Sequence, residues 1–447
     1  MNNPFHRLFW RLHFWAGILC APIVVFAALT GLLYALSPPI EARLYASLDH
    51  VQVHAGLAAK TLDQQVAAAL AEHPDQALRF VVPAHAAGDS TQVYLQAAHE
   101  HHPQAKGEHD HGLPTGRIVY VNPDTAQVLG QLPELQRFKT WSKKLHSSAL
   151  QGDGWRWVIE LGASWMLVLF ATGLVLWWPQ SAASGVQGWR ALLPLPKAGQ
   201  PRLNWRYLHA VVAISLGLVT ATVLVTGLTW AEHSGANFRA AQEALGQGTP
   251  KAPKGLRSAA SAGQSPLSWQ AVHDRVRAQS PNIALQLTPP NGDHGVWRAE
   301  NFDRSQPAKR FVVVVDAYSG QALFRSGWAQ LPWLSKATAV GIPFHRGEFG
   351  WWNQVLLILA ALAVIFSVVS GLVMWWLRRP RGTLGAPRLD RPMLRQVPQR
   401  VWWWLLPLAL ALSLALPVFG WSLALFIGVE AVITLITQLR RAPGAGA

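Results

Sequence analysis

Charged side chains are scarce in this sequence: Asp, Glu, Lys and Arg make up 14% of 447 residues, against roughly a quarter in soluble domains. Acids are scarcer than bases, 23 against 38, and cysteine occurs once. A single cysteine excludes an internal disulfide framework, a cysteine-based zinc site and a cysteine-ligated iron–sulfur cluster. There is no phosphate-cradling GxxxxGKS/T loop, no GxGxxG at a strand–helix junction and no Gly-x-Ser-x-Gly elbow. Any flavin or nicotinamide donor is therefore external. Little charge combined with 51% apolar residues argues against disorder and against an ordinary soluble enzyme. The net charge of +15 raises nucleic acid as a partner only if the basic residues share one soluble face.

What the chain does have is long apolar runs. A membrane helix needs about 20 such residues. Residues 14–36, 155–178, 208–230 and 351–377 qualify. The stretch 401–439 is too long for one ordinary span and is interrupted by Pro417 and Gly420, so it reads as a hairpin of two short spans, with one long tilted helix as the alternative. The first run lacks a small-residue cleavage site, so it reads as a span and not as a signal peptide.

Basic residues sort by segment. Arg7, Arg11, Arg190, Lys197, Arg202, Arg206, Arg378, Arg379, Arg381, Arg388, Arg391, Arg395, Arg400, Arg440 and Arg441 fall on one side, with Asp390 the only acid among them. Segment 40–145 carries 9 bases and 11 acids, and segment 231–345 carries 12 and 7. The positive-inside rule then places both termini in the cytoplasm and both large segments outside. The basic pI becomes a topology signal, and nucleic acid drops out as a partner. Tryptophan pairs at Trp177-Trp178, Trp351-Trp352 and Trp375-Trp376, and the run Trp402 to Trp404, suit interfacial belts.

The two halves resemble each other. His13 stands 17 residues before Thr30-Gly31, and His209 stands 17 before Thr226-Gly227. Thr172-Gly173-Leu174-Val175-Leu176-Trp177-Trp178 matches Ser370-Gly371-Leu372-Val373-Met374-Trp375-Trp376, with His146 and His345 lying 27 and 26 residues before the shared glycine. In the large segments, helical stretches at 62–71 and 269–279 precede strands running into turns at 117–125 and 311–320 and return strands at 126–129 and 321–324. The fold class is an α-helical integral membrane protein with two α+β domains, a parallel repeat of span, domain, span, and a C-terminal hydrophobic hairpin. Its segments are 1–39 (cytoplasmic end and span 1), 40–145 (domain 1), 146–179 (span 2), 180–206 (cytoplasmic loop), 207–231 (span 3), 232–344 (domain 2), 345–378 (span 4), 379–400 (basic loop), 401–439 (two short spans) and 440–447 (tail).

Ionisable groups at membrane depth are costly and usually functional. The repeat puts His13 level with His209, and His146 level with His345. A metal held by two imidazoles needs both ligands at one depth, with bonds of about 2 Å. His13 and His146 lie at opposite ends of a core roughly 30 Å thick. The depth-consistent pairs are thus His13 with His209 and His146 with His345, giving two haems stacked across the bilayer. Arg11, Arg206, Arg156 and Arg346 lie near in sequence as propionate contacts. Taken singly, each histidine reads as an interfacial anchor, and quinone contact or proton relay also stays open. His146 is separated from its span by Gly152-Asp153-Gly154 and has to fold back onto the bundle. His233 reads as structural or solvent-facing, and Cys20 as a packing residue. His99, His101, His102, His109 and His111, interleaved with acids, suit a transition metal or else form a plain loop insert.

The motifs Arg11-Leu12-His13-Phe14-Trp15-Ala16-Gly17, Thr30-Gly31, Leu145-His146, Leu208-His209, Thr226-Gly227 and His345 with Gly350, together with the two Gly-Leu-Val span ends, resemble the PepSY-associated transmembrane family over residues 4–379. The resemblance implies two b-type haems on His13, His209, His146 and His345, periplasmic PepSY domains, and ferric-siderophore reductase activity in the bacterial inner membrane. The partners it implies are the lipid bilayer, a ferric chelate, and an external donor, either quinol or a cytoplasmic reductase. The His-rich tract departs from the family pattern. A non-enzymatic metal-binding or sensing protein is the alternative reading.

Overall fold

The computed structural model describes residues 4–53, 58–97, 113–182, 201–259, 264–383, 385, 387 and 399–441. The long helix α1 (Pro4–Ala35) is followed by the short helices α2 (Ser37–Leu44) and α3 (Ala46–Asp49). Helix α4 (Leu62–Ala71) precedes strands β1 (Gln76–Val82), β2 (Thr91–Ala97), β3 (Arg117–Val121) and β4 (Val128–Pro133). Helix α5 (Phe138–Ser148) then leads back to the long helix α6 (Arg156–Ala182). The second half runs α7 (Pro201–Ser215), α8 (Gly217–Leu228), α9 (His233–Ala244), α10 (Trp269–Gln279), β5 (Leu285–Thr288), β6 (Val296–Asn301), β7 (Phe311–Asp316), β8 (Ala322–Gly327), α11 (Trp333–His345) and α12 (Trp351–Arg378). Helices α13 (Gln399–Ala415) and α14 (Pro417–Arg441) follow.

Among the described residues, four helical stretches are long and apolar enough to cross a membrane: His6–Ala35, Asp153–Trp178, Trp351–Arg378 and Pro417–Leu439. The run expected as one span at 208–230 is broken. Helices α7 and α8 meet at 58°, and the cause is local. Gly217 has no side chain, and the Phe170 ring of α6 sits where a Cβ would stand. A glycine next to Ser215-Leu216 is a common kink site. Helix α12 exposes Val355, Leu359, Leu362, Val369 and Leu372 along one face. So continuous an apolar stripe has hydrocarbon as its natural solvent.

Outside the spans, the two α+β units share one eight-stranded antiparallel sheet of order β4-β3-β2-β1-β5-β6-β7-β8. The halves meet where β1 pairs with β5 at Val81 and Leu287. Strand alternation splits the residues between two faces. Val81, Val93, Leu95, Val119, Val121, Leu285, Leu287 and Val313 face α4 and α10 in one core. The two helices also cap each other: Trp269 N and Gln270 N donate to Asp63, and Leu62 N donates to Gln270 Oε1. The other face carries Val82, Tyr94, Ile118 and Tyr120, packed with Leu48 of α3. Arg137, just before α5, donates to Asp49 at 2.7 Å and to the Tyr120 hydroxyl at 2.6 Å, and pairs with Glu41 at 3.2 Å. This bonding ties the end of the first span, the sheet and the start of α5 together.

Candidate functional site

Four helices bring the four repeat-related histidines together in two pairs. His13 of α1 faces His209 of α7, and His146 of α5 faces His345 of α11; in each pair the ring centroids are 6.4 Å apart. Two metal–nitrogen bonds of about 2 Å, with about 1.1 Å from each ring centre to its nitrogen, put two trans imidazoles about 6.3 Å apart. The observed spacing leaves room for one metal ion between the two rings. It is too wide for ring stacking or a direct hydrogen bond.

The second ring nitrogen is fixed in every case. His13 Nδ1 lies 2.9 Å from Thr172 Oγ1, His146 Nδ1 3.0 Å from Thr30 Oγ1, and His209 Nδ1 2.8 Å from Ser370 Oγ. Each hydroxyl already donates its only hydrogen to a carbonyl of its own helix, that of Val168, Phe26 or Ser367. It must therefore accept from the imidazole Nδ1–H. His345 Nδ1 donates to Val223 O at 2.8 Å. In that arrangement each ring carries its proton on Nδ1 and keeps the Nε2 lone pair for a ligand, the tautomer that metal-bound histidines use. Glycine follows each of the three hydroxyl seats, and Gly227 stands one turn beyond Val223. A Cβ at Gly31, Gly173 or Gly227 would stand 3.5, 3.4 or 2.8 Å from Cε1 of His146, His13 or His345, while at Gly371 it would meet nothing within 4 Å. Thr30-Gly31, Thr172-Gly173, Thr226-Gly227 and Ser370-Gly371 mark the repeat in the sequence. That Thr30, Thr172 and Ser370 seat imidazoles shows only once the helices are adjacent, and Thr226 instead bonds the carbonyls of Thr222 and Val223 beside the His345 seat.

Thr30 lies 17 residues beyond His13 on α1, so the pairs are about 25 Å apart along that helix. The sheet-side pair, His146 and His345, lines a cavity with ≈ 1370 Å³ of empty space, its open mouth included. Its wall combines large apolar side chains such as Met166, Leu224 and Leu357 with small residues: Ala27, Ala28 and Gly31 of α1, Gly162 and Ala163 of α6, and Ala360 and Ala361 of α12. A flat macrocycle suits such a slot. Among the described residues no cluster of three or more His, Cys, Asp or Glu is arranged to hold a metal ion. Two imidazoles fit a metal that brings its other donors with it, as haem iron does.

Polar groups gather in the same cavity. Arg346 donates to Tyr34 and pairs with Glu348 at 2.8 Å. Arg156 donates through Nη2 to Trp230 O, while its buried Nη1 has no hydrogen-bond partner among the described residues. Lys143, unmarked in the sequence reading, also lines the cavity. Burial, followed by the charges of Arg346, Lys144 and Lys139, pushes its ammonium down to about 8. Glu160 is spent elsewhere: it accepts from the backbone N–H groups of His233 and Ser234 at the start of α9.

A family model described as the PepSY-associated TM region matches residues 10–378. The chain belongs to the PepSY-associated TM region family. Among curated proteins none matches significantly. The PepSY-associated TM region contains all four paired histidines and stops before α13 and α14. Those two helices pack on the α1–α6 face, where Phe419 meets Trp165, Cys20 and Val24, and Trp165 Nε1 donates to Ser422. Arg11 pairs with Glu430 of α14 at 3.1 Å. Two residues along a helix is about 200° of rotation, so Arg11 points away from the His13 face. Arg206 lies over the Tyr207 ring at 5.7 Å. His233 packs on Trp421 and Glu160, in a structural setting. His99, His101, His102, His109 and His111 lie outside the described residues.

Proposed function

We propose that this PepSY-associated TM protein is a dihaem oxidoreductase of the bacterial inner membrane that delivers electrons to a ferric chelate in the periplasm. The observation that carries the reading is the pair of 6.4 Å imidazole gaps, each with Nδ1–H anchored and Nε2 left for a ligand. The basic segments favour both termini in the cytoplasm and the sheet outside.

Haem, when bound, supplies a one-electron couple whose potential is set by its axial ligands and their hydrogen-bonding partners. His13 and His209 would hold it at the cytoplasmic level, and His146 and His345 at the periplasmic level. Thr172, Ser370, Thr30 and the Val223 carbonyl orient the rings and raise their basicity as ligands. Electrons would enter at the cytoplasmic level from membrane quinol or a reductase. At the periplasmic level a ferric chelate would accept one electron, and the Fe(II) so formed is held less tightly by hard oxygen donors.

The test is a reduced-minus-oxidised spectrum and a haem assay on the full chain after haem-replete expression. We expect two haems per chain, half the haem in His13→Ala, and no further loss when His209→Ala is added. A colourless protein would overturn the proposal. So would a reduced protein that no ferric chelate reoxidises.

A further inference from the structure

Three donors meet at the sheet-side cavity with nothing to bond. Arg156 Nη1 and Trp230 Nε1 are buried and lack hydrogen-bond partners. The Lys143 side chain has no hydrogen bond or ion pair among the described residues. All three residues line the same cavity as His146 and His345. Unmade hydrogen bonds from buried donors are costly, more so for a cation. A fold that assembles two cations and an indole N–H around one opening is shaped for an anion with several acceptor oxygens. The acids nearby do not fill that need. Both oxygens of Glu160 are taken by α9, Glu348 meets Arg346 and Lys139 through Oε1, and neither Glu232 of the lining nor Asp153, which act on Arg156 through their charge, hydrogen-bonds to Arg156, Lys143 or Trp230 among the described residues.

We propose that Lys143, Arg156 and Trp230 form a carboxylate-binding mouth that takes the two propionate groups of the macrocycle held by His146 and His345. The inference rests on the haem reading and adds an orientation. Arg156 is at the first turn of α6, and Lys143 is one turn before His146 on α5. Arg346 is committed to Tyr34 and Glu348 and plays no part in the mouth. Charge-assisted hydrogen bonds made at both carboxylates are worth about tenfold or more in affinity.

The experiment titrates full-length protein carrying His13→Ala and His209→Ala, which leaves the sheet-side pair, with haem and with haem dimethyl ester, which has no free carboxylate. We expect haem to bind at least about tenfold more tightly than the ester. Lys143→Gln with Arg156→Gln should remove that preference, and Lys143→Arg should keep it. The mirror protein, carrying His146→Ala and His345→Ala, should not respond to the Lys143 and Arg156 changes. If the double-histidine background fails to fold, the same comparison in the otherwise unaltered chain, read as the redox potential of the two components, replaces it: only one component should shift. Haem uptake with no ester discrimination, or discrimination that survives both substitutions, refutes the mouth alone. No haem uptake at either pair refutes the underlying reading.

Discussion

Gly227→Ala tests the imidazole seats most directly. A Cβ there would stand 2.8 Å from His345 Cε1, 3.3 Å from Nδ1 and 3.6 Å from Nε2, whereas ordinary contact begins at 3.4 Å. The ring must move by about 0.6 Å, more than the roughly 0.5 Å that a ligand constellation tolerates. The move also stretches the 2.8 Å bond from His345 Nδ1 to Val223 O toward or past the ~3.2 Å limit of a good N–H···O bond. The ring cannot simply swing clear, because the Trp230 ring lies edge-on to it at 5.7 Å. Holding the imidazole in place against a new methyl costs about 1–3 kcal/mol, or roughly 5- to 150-fold in haem affinity at the sheet-side pair. Gly371→Ala is the matched control, since its Cβ enters open space beside the His209 seat. Alanine also improves a helix by up to about 1 kcal/mol over glycine, so neither protein should lose helix. Haem content and the two-component redox titration of both variants measure the effect. Loss in Gly371→Ala equal to that in Gly227→Ala, or full retention in both, would refute the seating argument.

Thr172→Val removes the acceptor for His13 Nδ1–H and should weaken haem at the His13–His209 pair by about 10- to 100-fold, with Thr172→Ser close to unaltered; haem titration of the two variants separates them. Glu430→Gln should destabilise the full chain in detergent by about 3–5 kcal/mol, because one charge of a buried pair is removed, and adding Arg11→Met should recover most of the loss; a change under about 1 kcal/mol in chemical denaturation would contradict this. Asp316 of β7 is pushed up by burial, but N–H donors from Ser319, Ala259 and Tyr318 outweigh that and bring its carboxyl down to about 2 from 3.8. Its stabilising contribution is therefore complete above the ordinary carboxylate range and fades as pH falls toward 2. Hydrogen exchange of the β7 amides should accelerate over that window, and Asp316→Asn should exchange faster at neutral pH with a flatter acid dependence.

The long apolar runs were legible because a helix in lipid must satisfy its own backbone, which leaves length and apolarity as the signal. Run 351–377 falls within α12, and runs 14–36 and 155–178 overrun α1 and α6 by one residue each. The break at Leu216 was not legible, since it depends on Phe170 from another helix reaching Gly217. Helices α4 and α10 showed in the sequence with their bounds, as did the strand–turn–return units that became β3, β4, β7 and β8. Strands β1, β2, β5 and β6 did not. The strand β5 has only four residues, and its place is decided by pairing with Val81 some two hundred positions away. Depth alone was enough to match the histidines into pairs, whereas their hydrogen-bond seats, the turn of Arg11 toward Glu430 and the arrival of Lys143 at the cavity all depend on which helices are neighbours.

The shared sheet has a consequence for how the molecule is divided. Either half alone would leave β1 or β5 as an open edge, a template for unwanted pairing, and would hold one imidazole at each level. Joined, the halves close that edge and complete both levels at once. The self-matching strand order, with β1 against β5 at its centre, is that of an isologous two-fold contact made within one polypeptide. The two α+β units meet as two subunits would, and cutting the chain between α6 and α7 would leave each piece with one histidine of each pair.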